Sequence, residues 1–441
     1  MRMAGGHADI FRAAGVVIRG GTDDAESGLF GWIKDLKLIN WAWLTLLASV
    51  ALTLVGVYAI DLAEQPAPNA PLAPAAAKQL AFMTVGLVAG LVIALPHVRV
   101  LGWLSWPLFA LCIGLLIFVL IPAVPAFLVT PRNGARAWIN LGVADFQPSE
   151  LTKIAYVMAV AHYLRFRHQH RQFLGLVVPA LITAIPVALI TVQPDLGTAS
   201  LFGPALFAIL IAAGARLRHL AVIVLCGLLI APAVYPFLQP HQKQRIVGLA
   251  AQITGDTTRA DDINYQSYTA QNLIGSGGLT GRPDPAARAL VRYNSLPEAH
   301  NDMVFAVVVA RFGMLGGLAL IALYALWLAG ALLTAACCKE PMGRLIAVGL
   351  AAFVAAQVVV NIGMNLGLLP IIGITLPFVS YGGSSLLTSW LMAGLILSCA
   401  LHKARPPFRE SFEYEDDDPS WHRNPNDYGR RMHVSGRILT R

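Results

Sequence analysis

Residues 41–60 read WAWLTLLASVALTLVGVYAI, an uninterrupted apolar run without a single charge. A helix needs about 20 such residues to cross the hydrocarbon core of a bilayer. In lipid the backbone must satisfy its own hydrogen bonds, so such a run is read as a helix. Further runs recur as far as Leu401, and the composition agrees with them. Of 441 residues, 56% are hydrophobic and 13% charged, against roughly a quarter charged in soluble chains. The mean hydropathy is +0.63.

The sequence is therefore expected to be all-α and polytopic, with about ten transmembrane helices. The expected spans are about 41–60, 79–96, 101–121, 148–164, 173–192, 197–214, 218–238, 303–334, 343–368 and 377–401. The fourth is the least apolar, since it holds Lys153 and His162. The eighth is long for one crossing and is expected to tilt or to extend past the bilayer. Three regions follow: an amino-terminal tail (1–40), a membrane domain (41–401) with a large loop at 239–302, and a polar tail (402–441). The last contains the acidic cluster Glu413, Glu415, Asp416, Asp417 and Asp418 and is expected to be disordered. Residues 10–19 could lie on the membrane surface as a short amphipathic piece.

Short loops orient the bundle through their Lys and Arg residues. Alternate connections carry Lys34 and Lys37, Arg99, then Arg165, Arg167 and Arg171, then Arg216 and Arg218, then Lys339 and Arg344, and finally Lys403 and Arg405. The connection 61–78 has Asp61 and Glu64 against Lys78 alone. Both termini are thus expected inside, with 61–78, 122–147 and 239–302 outside. No long apolar core precedes Trp41, so the first span is expected to act as an uncleaved signal-anchor. The five cysteines lie in or beside apolar runs and form no CxxC pair; neither a disulfide nor a zinc site is expected. No basic patch is interleaved with aromatics, and no nucleic-acid partner is expected.

Polar residues in or beside spans are costly and mark function or packing. Four stretches stand out. In the first, Arg132 and Arg136 precede Phe146-Gln147-Pro148-Ser149-Glu150-Leu151-Thr152-Lys153. Pro148 suits a first helical turn. Glu150 and Lys153 share a face, either as a packing pair or as part of a site for an anionic ligand. In the second, Gln193-Pro194-Asp195-Leu196-Gly197-Thr198, Asp195 either caps the next helix or orients a cation. The third is the loop 239–302, with Lys243, Arg245, the run Gly275-Ser276-Gly277-Gly278-Leu279-Thr280-Gly281, and Pro297-Glu298-Ala299-His300-Asn301-Asp302. Its glycines do not make a nucleotide loop, because no strand precedes them and the GxGxxG spacing fails. Asp302 reads as a helix cap or as a general base at a membrane mouth. The fourth runs from Asn361 and Asn365, one helical turn apart, through Pro377 to Ser380-Tyr381-Gly382-Gly383-Ser384-Ser385. Either its glycines pack, or its backbone N–H groups line a cavity.

Together these blocks resemble the SEDS family, the RodA/FtsW/SpoVE group. The resemblance rests on Asn133–Ile139, Phe146–Leu151 with Lys153, Gln193–Ala199, Ile274–Leu279, Leu296–Ala306, and Asn361–Met364 with Pro377–Ser385, which occur in family order. It implies a ten-span peptidoglycan glycosyltransferase of the bacterial inner membrane that polymerises lipid II beside a monofunctional penicillin-binding transpeptidase. Asp302 falls on the family's loop aspartate, which implies the catalytic base. Lys153, Arg136, Arg132 and Arg245, with Glu150, Asp195, Ser380 and Ser384, are candidates for binding substrate and pyrophosphate. No protein-bound metal is implied, and a divalent cation is the one candidate cofactor. A lipid II transporter or a non-catalytic scaffold would use similar features. Two departures are visible. Ala310 and Arg311 stand where the family has two adjacent acidic residues, and 282–295 is unlike the usual stretch.

Overall fold

The computed structural model describes residues 40–64, 71–125, 127–129, 136–142, 145–165, 172–234, 236, 243–244, 247–248, 265–294, 296 and 298–402. The tails, with residues 10–19 and the acidic cluster, lie outside the described residues, as do Arg132, Arg245 and much of 239–264.

The described helices are α1 (Ala42–Ala63), α2 (Pro74–Ala94), α3 (Val98–Leu120), α4 (Pro148–Leu164), α5 (Val177–Val192), α6 (Leu196–Ala213), α7 (Leu217–Val234), α8 (Tyr265–Gly277), α9 (Asp284–Tyr293), α10 (Val304–Cys337), α11 (Pro341–Asn365) and α12 (Gly383–Leu401). A 3-10 turn, Leu174–Leu176, leads into α5. A two-stranded antiparallel ribbon, β1 (Ile139–Asn140) and β2 (Asp145–Phe146), precedes α4, with Ile139 opposite Phe146.

Among the described residues, eight helices are long and apolar enough to cross a membrane. The chain is a multi-pass membrane protein. The other two expected spans are present as α4 and α7; α4 is only 17 residues long. It is buried along nearly its whole length, from Pro148 to Ala161. A helix that meets protein on every side does not need lipid-soluble side chains, which is why this span could be the least apolar. Around it pack α3, α11, α5, α6 and α12. The α2 and α3 spans are at the rim, each 28% buried, whereas the α12 span is 72% buried. The α2–α12 crossing is close because Gly90 and Gly394 face each other. A Cβ on Gly394 would lie 2.1 Å from the Gly90 carbonyl oxygen, the small-residue contact that membrane helices favour.

The long eighth span consists of two helical stretches joined at Gly313, whose φ of 70° and ψ of −169° break the helix. One boundary is corrected. The tenth helix starts at Gly383, not at 377. Residues 377–382 are irregular, with Phe378 at φ 67°.

The break in α10 is filled by the glycine-rich segment that follows α8. The Arg282 N–H donates to the Ala310 and Arg311 carbonyls, and the Met314 and Leu315 N–H groups donate to the carbonyls of Gly278 and Leu279. Irregular backbone at membrane depth survives only where protein supplies such partners. The approach leaves no room for a side chain: a Cβ on Gly313 would lie 2.4 Å from the Gly281 nitrogen.

Candidate functional site

Pro148, at the first position of α4, lacks an N–H that would have no helical partner there anyway. One turn on, Lys153 Nζ meets Glu150 Oε1 at 2.8 Å, with side-chain exposures of 1% and 7%. A buried ammonium without its carboxylate would carry a desolvation penalty of several kcal/mol. The pair is therefore a fixed unit in the centre of the bundle.

Asp195 caps α6: its Oδ1 accepts the Thr198 N–H at 3.0 Å. Its other oxygen accepts from the Gln147 side-chain amide at 3.2 Å. Removal from water pushes the Asp195 carboxyl above the ordinary range, the Thr198 bonds pull it back, and Glu150 and Lys153 act in opposite directions. Gln147 also donates its backbone N–H to Ser384 Oγ at 3.2 Å. The first, second and fourth stretches of the sequence thus meet at the amino-terminal end of α4.

The third stretch joins them through Asp302. The cap position of α10 belongs to Met303, which makes no side-chain cap hydrogen bond. The Asp302 carbonyl accepts from Asn361 Nδ2 at 2.9 Å and from Asn365 Nδ2 at 3.0 Å. The preceding carbonyl, of Asn301, accepts from Ser380 Oγ at 2.6 Å. The one before it, of His300, accepts from the Tyr381 N–H at 2.8 Å. Gly373, at φ 72°, lies by the carboxylate: a Cβ there would be 3.4 Å from Asp302 Oδ2. On the other side of the same segment, a Cβ on Gly197 would be 2.7 Å from the Ile372 carbonyl oxygen. Residues 372–374 therefore separate the Asp302 carboxylate from the amino-terminal end of α6.

The loop helices are docked by charge. Arg288 of α9 binds the Asp61 carboxylate and its backbone carbonyl. Asp61 Oδ1 and Glu64 Oε2 in turn accept the Ala73 and Ala75 N–H groups at the start of α2, at 2.7 and 2.8 Å. Arg311 pairs with Asp284, and Tyr58 donates to Asp284 at 2.7 Å. The two departures from the family pattern are thus partners: the arginine in α10 is answered by the aspartate in the unusual loop. A cavity of about 930 Å³ lies between the end of α1, α9 and the chain leading to Asp302, with Glu64, Arg288, Arg292, Tyr293, Leu296 and Ala299 in its wall.

Of the nominated residues, Glu150, Lys153, Asp195, Ser384, Ser380 and Asp302 belong to one connected region. The Ser380 hydroxyl is used within the protein, since it also accepts the Leu376 N–H at 2.7 Å. Arg136 is placed elsewhere and donates to the Val124 carbonyl at 2.9 Å, holding the loop after α3. Among the described residues no group of three His, Cys, Asp or Glu gathers that could hold a metal ion. Sequence reasoning missed Gln79, which is fully buried. Its amide donates to the Ser380 carbonyl at 2.9 Å and its oxygen accepts from the Gly382 N–H at 3.4 Å. The signal was a lone glutamine at the start of an apolar span.

Residues 39–405 match the family model FTSW_RODA_SPOVE, described as cell cycle protein. The peptidoglycan glycosyltransferase MrdB of Escherichia coli is 33% identical over 76% of this chain and 87% of its own length. Stage V sporulation protein E of Bacillus subtilis is 33% identical over 73% and 86%. The crystal structure of the Thermus thermophilus rod shape determining protein RodA is matched with a TM-score of 0.57 and 30% identity, over 81% of this chain and 95% of that one. A structure of a peptidoglycan synthase complex is matched with a TM-score of 0.67 and 31% identity, over 80% and 96%. By the reach of the family model and by these relatives, the chain belongs to the FtsW/RodA/SpoVE family.

Proposed function

We propose that this chain is a peptidoglycan glycosyltransferase of the bacterial inner membrane that polymerises lipid II, with both termini cytoplasmic and its site facing outward. The observation that carries the reading is Asp302, its backbone held by Asn361 and Asn365 and its carboxylate beside Gly373, in the same connected region as the buried Glu150–Lys153 pair. The curated relative from Escherichia coli is named for this activity. Kinship with a chain of a peptidoglycan synthase complex supports a penicillin-binding transpeptidase as the partner.

The 4-hydroxyl oxygen of the acceptor sugar attacks C1 of the donor sugar. Its proton passes to the Asp302 carboxylate. The bond from C1 to the pyrophosphate breaks, and undecaprenyl pyrophosphate leaves with the electron pair. Direct displacement inverts C1. A neutral hydroxyl is a poor nucleophile, so base assistance is worth roughly 10²- to 10⁴-fold. Charge that develops on the leaving group is stabilised by pre-positioned cations, for which Lys153 is the buried candidate. Its Glu150 partner holds it in place. The prenyl tail stays in lipid while the sugars react at the mouth of the bundle. The cavity beside Ala299 falls in the size range of ligand sites and offers the saccharide room.

Purified protein, with and without a candidate transpeptidase, should make glycan from lipid II. The Asp302→Asn variant should lose 10²-fold or more of that rate while folding normally. Full activity of that variant would remove Asp302 as the base, and lipid transport without glycan product would replace the enzyme reading by a transporter.

A further inference from the structure

Three successive peptide carbonyls, those of His300, Asn301 and Asp302, are each held by a donor from residues 361–381. The Tyr381 N–H takes the first at 2.8 Å and the Ser380 hydroxyl the second at 2.6 Å. The carboxamides of Asn361 and Asn365 converge on the third. Both side-chain NH2 groups use both of their N–H donors, while Asn365 Oδ1 is buried without a hydrogen-bond partner among the described residues. The other Asn361 N–H reaches the Ile374 carbonyl at 2.7 Å, and the other Asn365 N–H reaches the Asn361 carbonyl at 2.9 Å. Both asparagines are fully buried.

The segment they hold has no regular structure of its own. It begins at Glu298, whose φ is 54°, and ends where α10 begins. At the first turn of α10 the Met303 carbonyl receives the Ala306 N–H at 3.1 Å. Two side-chain amides from α11 hold the carbonyl just before it, that of Asp302. They fix the peptide plane after Asp302 and hence the direction in which its side chain leaves the backbone. Through Ile374, Asn361 also holds the strand of backbone whose Gly373 faces the carboxylate.

We infer that Asn361, Asn365 and Ser380 are positioning residues that aim the Asp302 carboxylate, an inference that rests on the assignment of Asp302 as the base. Their chemistry suits that task. Amides and a hydroxyl hold a carbonyl firmly yet bring no charge, so they fix geometry without altering the proton affinity of the carboxylate they aim. A reacting group must be held within about 0.5 Å of its productive position, and a displacement of about 1 Å can cost 10²-fold in rate.

The test uses the purified full-length chain and lipid II, with rates normalised to monodisperse folded protein and melting temperature as the check on folding. Asn361→Ala and Asn365→Ala should each lower kcat by about 10- to 100-fold, with KM within about threefold and the acid limb of the pH profile unmoved. Ser380→Ala, which deletes only a hydroxyl, should act in the same direction and serves if the asparagine variants do not fold. Asn365→Ala combined with Asp302→Asn should be no slower than Asp302→Asn alone. Wild-type kcat in folded Asn361→Ala and Asn365→Ala, beside a crippled Asp302→Asn, overturns the positioning role and leaves the base in place. An additive further loss in the double variant also overturns it, because a merely structural defect would multiply. An Asp302→Asn variant as fast as wild type overturns both readings.

Discussion

Gln147 and Asp195 meet at 3.2 Å, amide to carboxylate, across 48 positions of sequence. The contact ties the start of α4 to the start of α6, and the second donor of Gln147 ties both to Ser384. Two polar blocks that read as separate features in the sequence are one joint in the structure.

Asp195 gives the first prediction. Its carboxyl is raised by burial, so the folded state favours the protonated form. That group disfavours folding as pH rises through its folded pKa, and its penalty vanishes below the unfolded value of about 3.9. Asp195→Asn keeps a good cap acceptor and removes the charge. Its melting temperature should equal or exceed wild type at pH 7, with the margin shrinking towards pH 4. Asp195→Ala should lose about 1 kcal/mol through the missing cap. Thermal scans in detergent across this pH range decide both points.

The Glu150–Lys153 pair yields the second. Removing one partner of a buried pair leaves a bare charge and costs about 3–5 kcal/mol. Glu150→Gln or Lys153→Met alone should therefore lower the yield of folded protein sharply. Together, Glu150→Gln and Lys153→Met should recover much of the stability. If the recovered protein still fails to polymerise lipid II, the pair has a role beyond packing; if it works at the wild-type rate, the pair is structural only.

Arg311 and Asp284 supply the third. The Asp284 carboxyl is held below the usual carboxylate range, by the Tyr58 hydroxyl first and then by Arg311. A depressed folded pKa stabilises above the unfolded value and loses that contribution as pH falls through the folded one. The melting temperatures of wild type and Asp284→Asn should differ at pH 7 and converge below about pH 4. Arg311→Glu should loosen α9, seen as faster amide exchange over 284–293. The swap Arg311→Asp with Asp284→Arg should restore protection.

Gly313 carries the fourth. Its φ of 70° and the 2.4 Å approach to Gly281 leave no place for a methyl group. Gly313→Ala should cost well over 1 kcal/mol in backbone strain alone and should dislodge the segment 278–282. Gly114→Ala in α3, with open space around its Cβ position, should be neutral or up to about 1 kcal/mol stabilising. Comparing the two melting temperatures separates a packing glycine from a permissive one.

The helical bundle was legible because apolar length is a local property. Spans such as 41–60 and 148–164 needed only the run of residues between their ends. The loop helices α8 and α9 were not legible, since α9 is held by Asp61 and Arg311, residues more than 20 positions away in the chain. The break at Gly313 was hidden for the same reason: a glycine in an apolar run reads as a packing residue until its partner loop is known. At the site, residue types announced Asp302, Glu150 and Lys153. The donors that hold Asp302 did not announce themselves as such, because Asn361 and Asn365 act through a backbone atom of a remote segment, as Gln79 does on Ser380, and no side-chain pattern encodes that.

The interrupted α10 has a consequence for the order in which the chain assembles. The carbonyls of Ala310 and Arg311 and the N–H groups of Met314 and Leu315 find their partners in residues 278–282, which leave the ribosome first. The segment must therefore be waiting at the membrane before α10 can settle into its broken shape. Until it docks, a straight helix through Gly313 competes with the native one. The end of α10 that begins beside Asp302 therefore takes its final course only once residues 278–282 have docked against Gly313.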